Sequence, residues 1–335
     1  MWNRNITVLW LAQLISSMGD AVYQLALIWL ILDLTGSSII TGFVAMGAYL
    51  PAMLFGLLGG VFADKYNRLS IMHMANISQS LTVLVIPLTL YYGVADAMLI
   101  GILAFMRSSC GTLFPPALNA FIPEVVAKDQ LTKVNSVIAT SSQLAYLIGP
   151  ALAGILLGII SLNRLFIFDA FSFLISSLLL LFVVRTKAPP IIKKHATLTQ
   201  LISGMKYIID HRNIGYLIIL TILNNIFIMG PAIVGMPILI KDVLAGTVSD
   251  FAFVEAGMAG GMLIGSWFMY KSRQRLSNGV LLLLALIWDG ITYAFFYWIP
   301  SVPTAIVMIF FHGMGIPVIT ISRTAIIQRN TPNAY

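Results

Sequence analysis

Charged side chains are rare in this chain, and two of them stand in the middle of long apolar runs. Asp20 shares its run with Gln13, Ser16, Ser17 and Gln24; the five are spaced i, i+3, i+4, i+7 and i+11, which puts them on one face of a helix. Arg107 lies in another run and, with Ser108, Gly111, Thr112 and Pro115, makes a second stripe of polar and small residues. An aspartate or arginine at the centre of a membrane helix costs about 2.5–3.5 kcal/mol, so such residues face water or a partner. Two chemistries fit the pair. Asp20 is a carboxylate that gains and loses a proton as its partner changes, or it is half of a permanent buried ion pair with Arg107. A permanent pair would hold Asp20 charged and unfit for proton traffic.

Later runs hold Thr221, Asn224, Asn225 and His312. The imidazole of His312 either titrates in the physiological range or serves as a hydrogen-bonded packing residue. Asp169 and Glu255 fall near outer run ends, where water or a neighbouring backbone would satisfy them. Asp289 is central in its run, and its spacing suggests no role. The densest charge is in "GGVFADKYNR", Gly59 to Arg68, where an Asp, a Lys and an Arg fall within five positions directly after a glycine-studded apolar run.

The elements that must position these residues follow from composition. Only 9% of the 335 residues are charged and 59% are hydrophobic, whereas a soluble domain carries about 25% charged residues. Ten apolar runs reach about 20 residues, the length that spans a hydrocarbon core of about 30 Å as a helix. They are Ile6–Leu32, Ile39–Ala63, Leu69–Gly93, Ala97–Phe121, Val134–Ile160, Leu165–Val184, Ile214–Ile240, Phe251–Tyr270, Ser277–Ile299 and Val302–Ile327. The first is roughly twice as long as a signal h-region and has no small-residue cleavage site after it, so it is expected to stay as a span. With the N-terminus inside, it and the loops after even-numbered runs hold Arg4, Lys65, Arg68, Lys128, Lys133, Arg185, Lys187, Lys193, Lys194, Lys206, Arg212, Lys271, Arg273, Arg275 and Arg329, against Arg164 and Lys241 outside. That is the asymmetry of a membrane protein with a cytoplasmic N-terminus. The basic balance therefore reports topology and not a nucleic-acid partner.

Segment 185–213 is the longest polar stretch, and its Leu198, Leu201, Ile202, Met205, Ile208 and Ile209 recur at helical spacing. They predict an amphipathic helix lying on the inner membrane surface. Gly257, Gly261 and Gly265, and likewise Gly154 and Gly158, repeat every four residues and predict close helix contacts. Pro115, Pro116, Pro150, Pro231, Pro237 and Pro317 are expected to interrupt helical hydrogen bonding.

The loop pattern Gly60, Asp64, Lys65 and Arg68 resembles the signature between the second and third helices of the major facilitator superfamily. In that family the glycine permits close helix approach, and the aspartate caps a helix terminus and relays charge to the basic residues, latching an inner gate. Asn67 stands where the family has a second glycine, and asparagine also tolerates a left-handed turn. The plainer reading of Lys65 and Arg68 is as anchors to anionic headgroups. "RSSCGTLFPPALNAFIPEVV" from Arg107, "QLTKVNS" and "GPALAG" resemble the region of helices 4 and 5 in drug exporters of this superfamily, most of all macrolide-efflux proteins. "EAGMAGGMLIGS" and "GMGIPVITISRTAIIQRNTP" fit the same group, so the resemblance runs the length of the chain.

The resemblance implies an all-α polytopic membrane protein with the major facilitator fold. Two pseudo-symmetric bundles are expected, a six-helix bundle over 1–184 and helices 7–10 over 214–335, joined by the cytoplasmic linker 185–213. Ten of an expected twelve helices would then be present, the chain being a fragment or a truncated protein. In that fold helices 1, 4, 7 and 10 line a central cavity. This makes Gln13, Ser17, Gln24, Gly111, Asn224 and Asn225 candidate cavity residues, with Asp20, Arg107 and His312 as proton-coupling candidates. Arg107 also matches the helix 4 arginine of related proton-coupled exporters.

No Gly-Lys dipeptide exists for an ATP-binding loop, no ligand spacing suggests a metal, and the single Cys110 excludes an internal disulfide. A non-enzymatic secondary transporter without cofactor or metal is expected, exporting amphipathic small molecules such as macrolide-like drugs by proton-coupled alternating access. Its expected partners are that substrate, protons and the lipid bilayer, and its expected state is a monomer in the plasma (inner) membrane. Export of an endogenous siderophore or lysophospholipid is the alternative within transport. A transport-inactive membrane scaffold is the rival of another class.

Overall fold

The computed structural model of the chain describes residues 4–126, 130–184, 206, 208, 210–271 and 276–330. Among them ten helical segments are long and apolar enough to cross a membrane. The first three spans are α1 (Arg4–Thr35), α2 (Ser38–Lys65) and α3 (Arg68–Tyr91). The fourth is broken into α4 (Ala97–Gly111) and α5 (Phe114–Val125), and α6 (Leu131–Leu157) and α7 (Leu162–Leu180) follow. The seventh span joins α8 (Arg212–Asn224) to α9 (Gly230–Ile238) through a π-helical turn, Asn225–Met229. The last three are α10 (Val248–Lys271), α11 (Asn278–Ala294) with a 3₁₀ turn at Phe295–Trp298, and α12 (Val302–Asn330). The surface helix expected in 185–213 lies outside the described residues over 185–205.

Short polar residues set the helix starts. Ser37, Asn67, Asp96 and Ser277 each accept a hydrogen bond from the backbone amide three residues on, at 2.8–3.4 Å, satisfying a donor that the first turn leaves open. Asn67 does this from extended backbone, φ −65° and ψ 119°. The left-handed turn expected there is therefore replaced by an N-cap, because asparagine's carboxamide gains a bond by capping that a glycine could not make.

Prolines set the breaks. Pro115 and Pro116 have no amide to donate to Gly111 and Thr112, and the fourth span breaks between those residues and Phe114. In the seventh span the turn before Pro231 widens to a π register, with the Gly230 amide bonding the Asn225 carbonyl. Pro150 and Pro317 are carried inside α6 and α12.

The chain divides into two compact units, Met1–Ile192 and Lys193–Tyr335. In the first, α1 packs against α2, α6 and α7, and α3 packs against α4, α5 and α7. Lipid is as apolar as leucine, so such helices associate through close packing and interhelical hydrogen bonds. Along the α3–α7 seam Asn76 donates to Ser176 at 2.9 Å, Ser80 donates to the Ala170 carbonyl at 2.8 Å, and the His73 ring meets the Ser177 hydroxyl at 2.6 Å. Asn5 and Val184 exchange two hydrogen bonds of 2.9 Å, tying the start of the first span to the end of the sixth. Gly149 sits where a methyl would overlap Ala21 of α1.

In the second unit α12 lies against α10, α11 and α8. The glycine ridge on α10 does what its period predicts. A methyl at Gly261 or Gly265 would overlap the carbonyl oxygen of Phe310 or Met314, and one at Gly313 would meet the Met258 carbonyl. The backbones of α10 and α12 touch along that ridge. Gly158, by contrast, is the C-cap of α6.

Candidate functional site

Arg107 is the centre of the first unit's chemistry. It projects from the last turns of α4 and is 5% exposed. A single guanidinium nitrogen, Nη2, donates to Asp20 Oδ1 of α1 at 2.5 Å and to Asp169 Oδ2 of α7 at 3.1 Å. The guanidinium also lies 3.7 Å from the centre of the Tyr23 ring and 5.2 Å from that of Phe173, a cation–π enclosure that substitutes for water. The carboxylates differ sharply in access: the Asp20 side chain is 45% exposed, that of Asp169 0%. Asp169 Oδ1, Arg107 Nε and the Tyr23 hydroxyl are buried with no hydrogen-bond partner among the described residues. The group carries two carboxylates against one guanidinium, so one proton would neutralise it.

Asp169 corrects the sequence reading. It was expected near an outer helix end, satisfied by water or a neighbouring backbone, yet it lies within α7, fully enclosed and paired with Arg107. The signal was present in the sequence. Asp169, Ser172, Ser176 and Ser177 are spaced i, i+3, i+7 and i+8, the same one-face pattern that identified the Asp20 stripe. Gly19 makes the approach possible, since a methyl there would overlap the Ser172 hydroxyl and lie 2.7 Å from Asp169 Oδ1.

The other cavity candidates of the first unit divide. Gln13 donates to Ser17 at 3.0 Å along the α1 stripe, and Ser17 and Gln24 are half-buried. Gly111 faces α3: the side a methyl would occupy holds Gln79 Oε1 at 2.7 Å, so packing against Gln79 replaces the expected cavity-lining position.

At the start of α3, Arg68 makes the contacts that tie neighbouring helices together. It donates to the carbonyls of Ala63 and Ala120 at 3.3 and 3.2 Å and forms an ion pair with Glu124 of α5, so it caps the ends of α2 and α5 together. Lys65 is exposed, with its ammonium 5.6 Å from the Tyr66 ring. The side chain of Asp64 lies outside the described residues. Close approach here belongs to Gly59: a methyl on it would meet the Thr112 carbonyl and Pro116 at 2.9 Å, at the break in the fourth span. One at Gly60 meets nothing within 4 Å among the described residues.

In the second unit His312 is not isolated. On α12 it is 4% exposed, with Nε2 3.4 Å from Asp289 Oδ1 of α11 and Nδ1 2.9 Å from the Thr292 hydroxyl. Asn224, at the end of α8, donates to Asp289 Oδ2 at 3.2 Å. Three helices thus bring Asp289, which the sequence left without a role, to the histidine. Asn225 is exposed at the start of the π turn.

The whole chain matches known proteins. Residues 2–334 fit the family described as "Transmembrane secretion effector". Macrolide efflux protein A of Streptococcus pyogenes is 24% identical over 349 aligned residues, covering 100% of this chain and 83% of that protein. The multidrug efflux pump Tap of Mycolicibacterium fortuitum is 24% identical over 307 residues, 89% of this chain and 74% of that one. In structure, an inward-facing, unoccupied bacterial homologue of the human lysosomal transporter spinster superposes with a TM-score of 0.76 at 15% identity, covering 98% of this chain and 75% of that chain. With ten spanning helices, this fold and a family match over nearly every residue, the chain is a multi-pass membrane protein that belongs to the transmembrane secretion effector family of major facilitator transporters.

Proposed function

We propose that this protein is a secondary exporter that uses the proton gradient to expel amphipathic small molecules of the macrolide-like class by alternating access. The observation that carries the reading is Arg107 held between a half-exposed Asp20 and a fully enclosed Asp169. A half-exposed carboxylate in the middle of a membrane span needs water or cargo beside it. When Asp20 takes a proton it releases Arg107 to Asp169, and α1 loses its ionic hold on α4. A proton therefore favours one arrangement of these helices, and a cationic amphiphile that restores the charge at Asp20 favours the other. Differential affinity of that kind is what couples two ligands to one equilibrium. The named activities of the relatives, macrolide and multidrug efflux, support the substrate class.

The same reading places the protein in the plasma membrane as a monomer with a cytoplasmic N-terminus, the side where the basic loops collect. The α2–α3 region then acts as the inner latch, with Asp64, Lys65 and Arg68 as its charged parts and Gly59, next to Gly60, as the point of close helix approach.

The test is extrusion of a fluorescent cationic dye and of a macrolide from cells expressing the chain, with and without a protonophore. Wild-type extrusion should collapse with the protonophore. Asp20→Asn should lose gradient-driven extrusion while keeping downhill exchange. Extrusion that ignores the protonophore, or Asp20→Asn with wild-type accumulation, would overturn the reading.

A further inference from the structure

We propose that Asp289 and His312, braced by Asn224 and Thr292, form a second proton-binding site inside the C-terminal unit, which holds one proton in one transport state and releases it in another. Its role in transport rests on the proton-driven reading above; its existence as a protonation site does not.

The argument starts from charge. Asp289 and His312 are 2% and 4% exposed, and the Asp289 carboxylate meets the Asn224 amide and the His312 ring. With a neutral imidazole the group carries one buried negative charge near the middle of a membrane span. With one proton added it becomes an imidazolium–carboxylate pair of zero net charge, and the desolvation cost of a lone ion is removed. The basic residue of α12 nearest this level is Arg323, eleven residues along the helix and so about 16 Å away. It is engaged with the Thr221 hydroxyl at 3.4 Å. Among the described residues no permanent cation replaces the proton here, unlike at Asp20 and Asp169, where Arg107 supplies one.

Geometry supplies the slot. The Thr292 hydroxyl lies 2.8 Å from the Trp288 carbonyl and 3.1 Å from that of Asp289. Once its single hydrogen is donated back to its own helix, its oxygen accepts from His312 Nδ1 at 2.9 Å. That arrangement leaves the lone pair of Nε2 facing the carboxylate Oδ1 across 3.4 Å. Two acceptors face each other at a separation just longer than a formed N–H···O bond, and a proton placed between them draws them together.

Tyr293 and Phe296 flank the imidazole with ring centres at 5.9 and 6.5 Å, and Asn224 on α8 is neutral. Glu255 is the ionisable side chain within the membrane stretch of α10, which packs along α12, with Asp250 and Lys271 at that helix's ends. Asn224 sits where α8 passes into the π turn. A change at Asp289 is therefore transmitted to a segment whose hydrogen-bond register already departs from α-helical, a feature common at functional sites.

The experiment uses the full chain in lipid nanodiscs with 15N-labelled histidine. The chain has four histidines, and the spectrum of His312→Gln identifies the relevant ring. In the wild type the ring should gain and lose a proton as pH is varied over the range in which the protein stays folded, and that step should disappear or shift in Asp289→Asn, which keeps the size of the side chain and an acceptor for Asn224. A ring of constant protonation across that range, or a step unchanged in Asp289→Asn, overturns the proposal. In proteoliposomes the protons moved per cargo, read from the driving force at which flux reverses, should fall by one in Asp289→Asn and in His312→Gln. Unchanged stoichiometry in both overturns the transport role. If wild-type flux ignores a protonophore while the ring still titrates only with Asp289 present, the gradient-driven reading fails and the site stands.

Discussion

Replacing Arg107 by leucine leaves two carboxylates without their cation, and their different exposure decides the consequence. Asp20, 45% exposed, recovers water. Asp169, 0% exposed, cannot, and its Oδ1 already lacks a hydrogen-bond partner among the described residues. At the 3.1 Å separation of Arg107 Nη2 and Asp169 Oδ2, an effective dielectric of about 20 gives an attraction of about 5 kcal/mol. The guanidinium's own desolvation, relieved in the variant, offsets part of it, leaving a destabilisation of about 3 kcal/mol for Arg107→Leu. Adding Asp169→Asn to that variant removes the stranded charge and should restore about 2 kcal/mol, while Asp169→Asn alone leaves Arg107 paired with Asp20 and should be the mildest of the three. Reversible unfolding in mixed micelles, run as a double-mutant cycle, measures these differences. A double variant no more stable than Arg107→Leu would refute the argument, because the penalty would then not come from the enclosed carboxylate. Neither Arg107→Leu nor the double variant should export cargo.

On the α10 ridge, Gly261→Ala drives a methyl into the Phe310 backbone carbonyl and should cost about 1–3 kcal/mol; Gly279→Ala, where a methyl meets nothing within 4 Å among the described residues, should be neutral or stabilising, and thermal unfolding in detergent compares the two. Arg68→Ala removes the bonds to the Ala63 and Ala120 carbonyls and the Glu124 pair, so export should fall severalfold while membrane insertion, scored by surface labelling, is unchanged. Gly19→Ala should cost about as much as Gly261→Ala and also impair export, since the methyl overlaps Ser172 and crowds Asp169; wild-type dye extrusion in that variant would separate Asp169 from the mechanism.

The spans were legible in the sequence because lipid imposes a one-dimensional rule: about 20 apolar residues, broken where proline or polar residues intervene. The one-face stripe of Gln13, Ser17, Asp20 and Gln24 and the four-residue glycine period of α10 were legible for a similar reason, since each is a property of a single helix. Asn67 and Gly59 were read less well. Whether an asparagine caps or turns, and which of two adjacent glycines faces a neighbour, depends on the chain direction at the loop and on the break in the fourth span. What only the tertiary structure decided was partnership. Arg107 meets Asp169, and Asp289 meets His312 and Asn224, because helix rotation and crossing bring together residues far apart in the chain. A sequence states that a buried charge exists, and only the packed bundle states which other charge answers it.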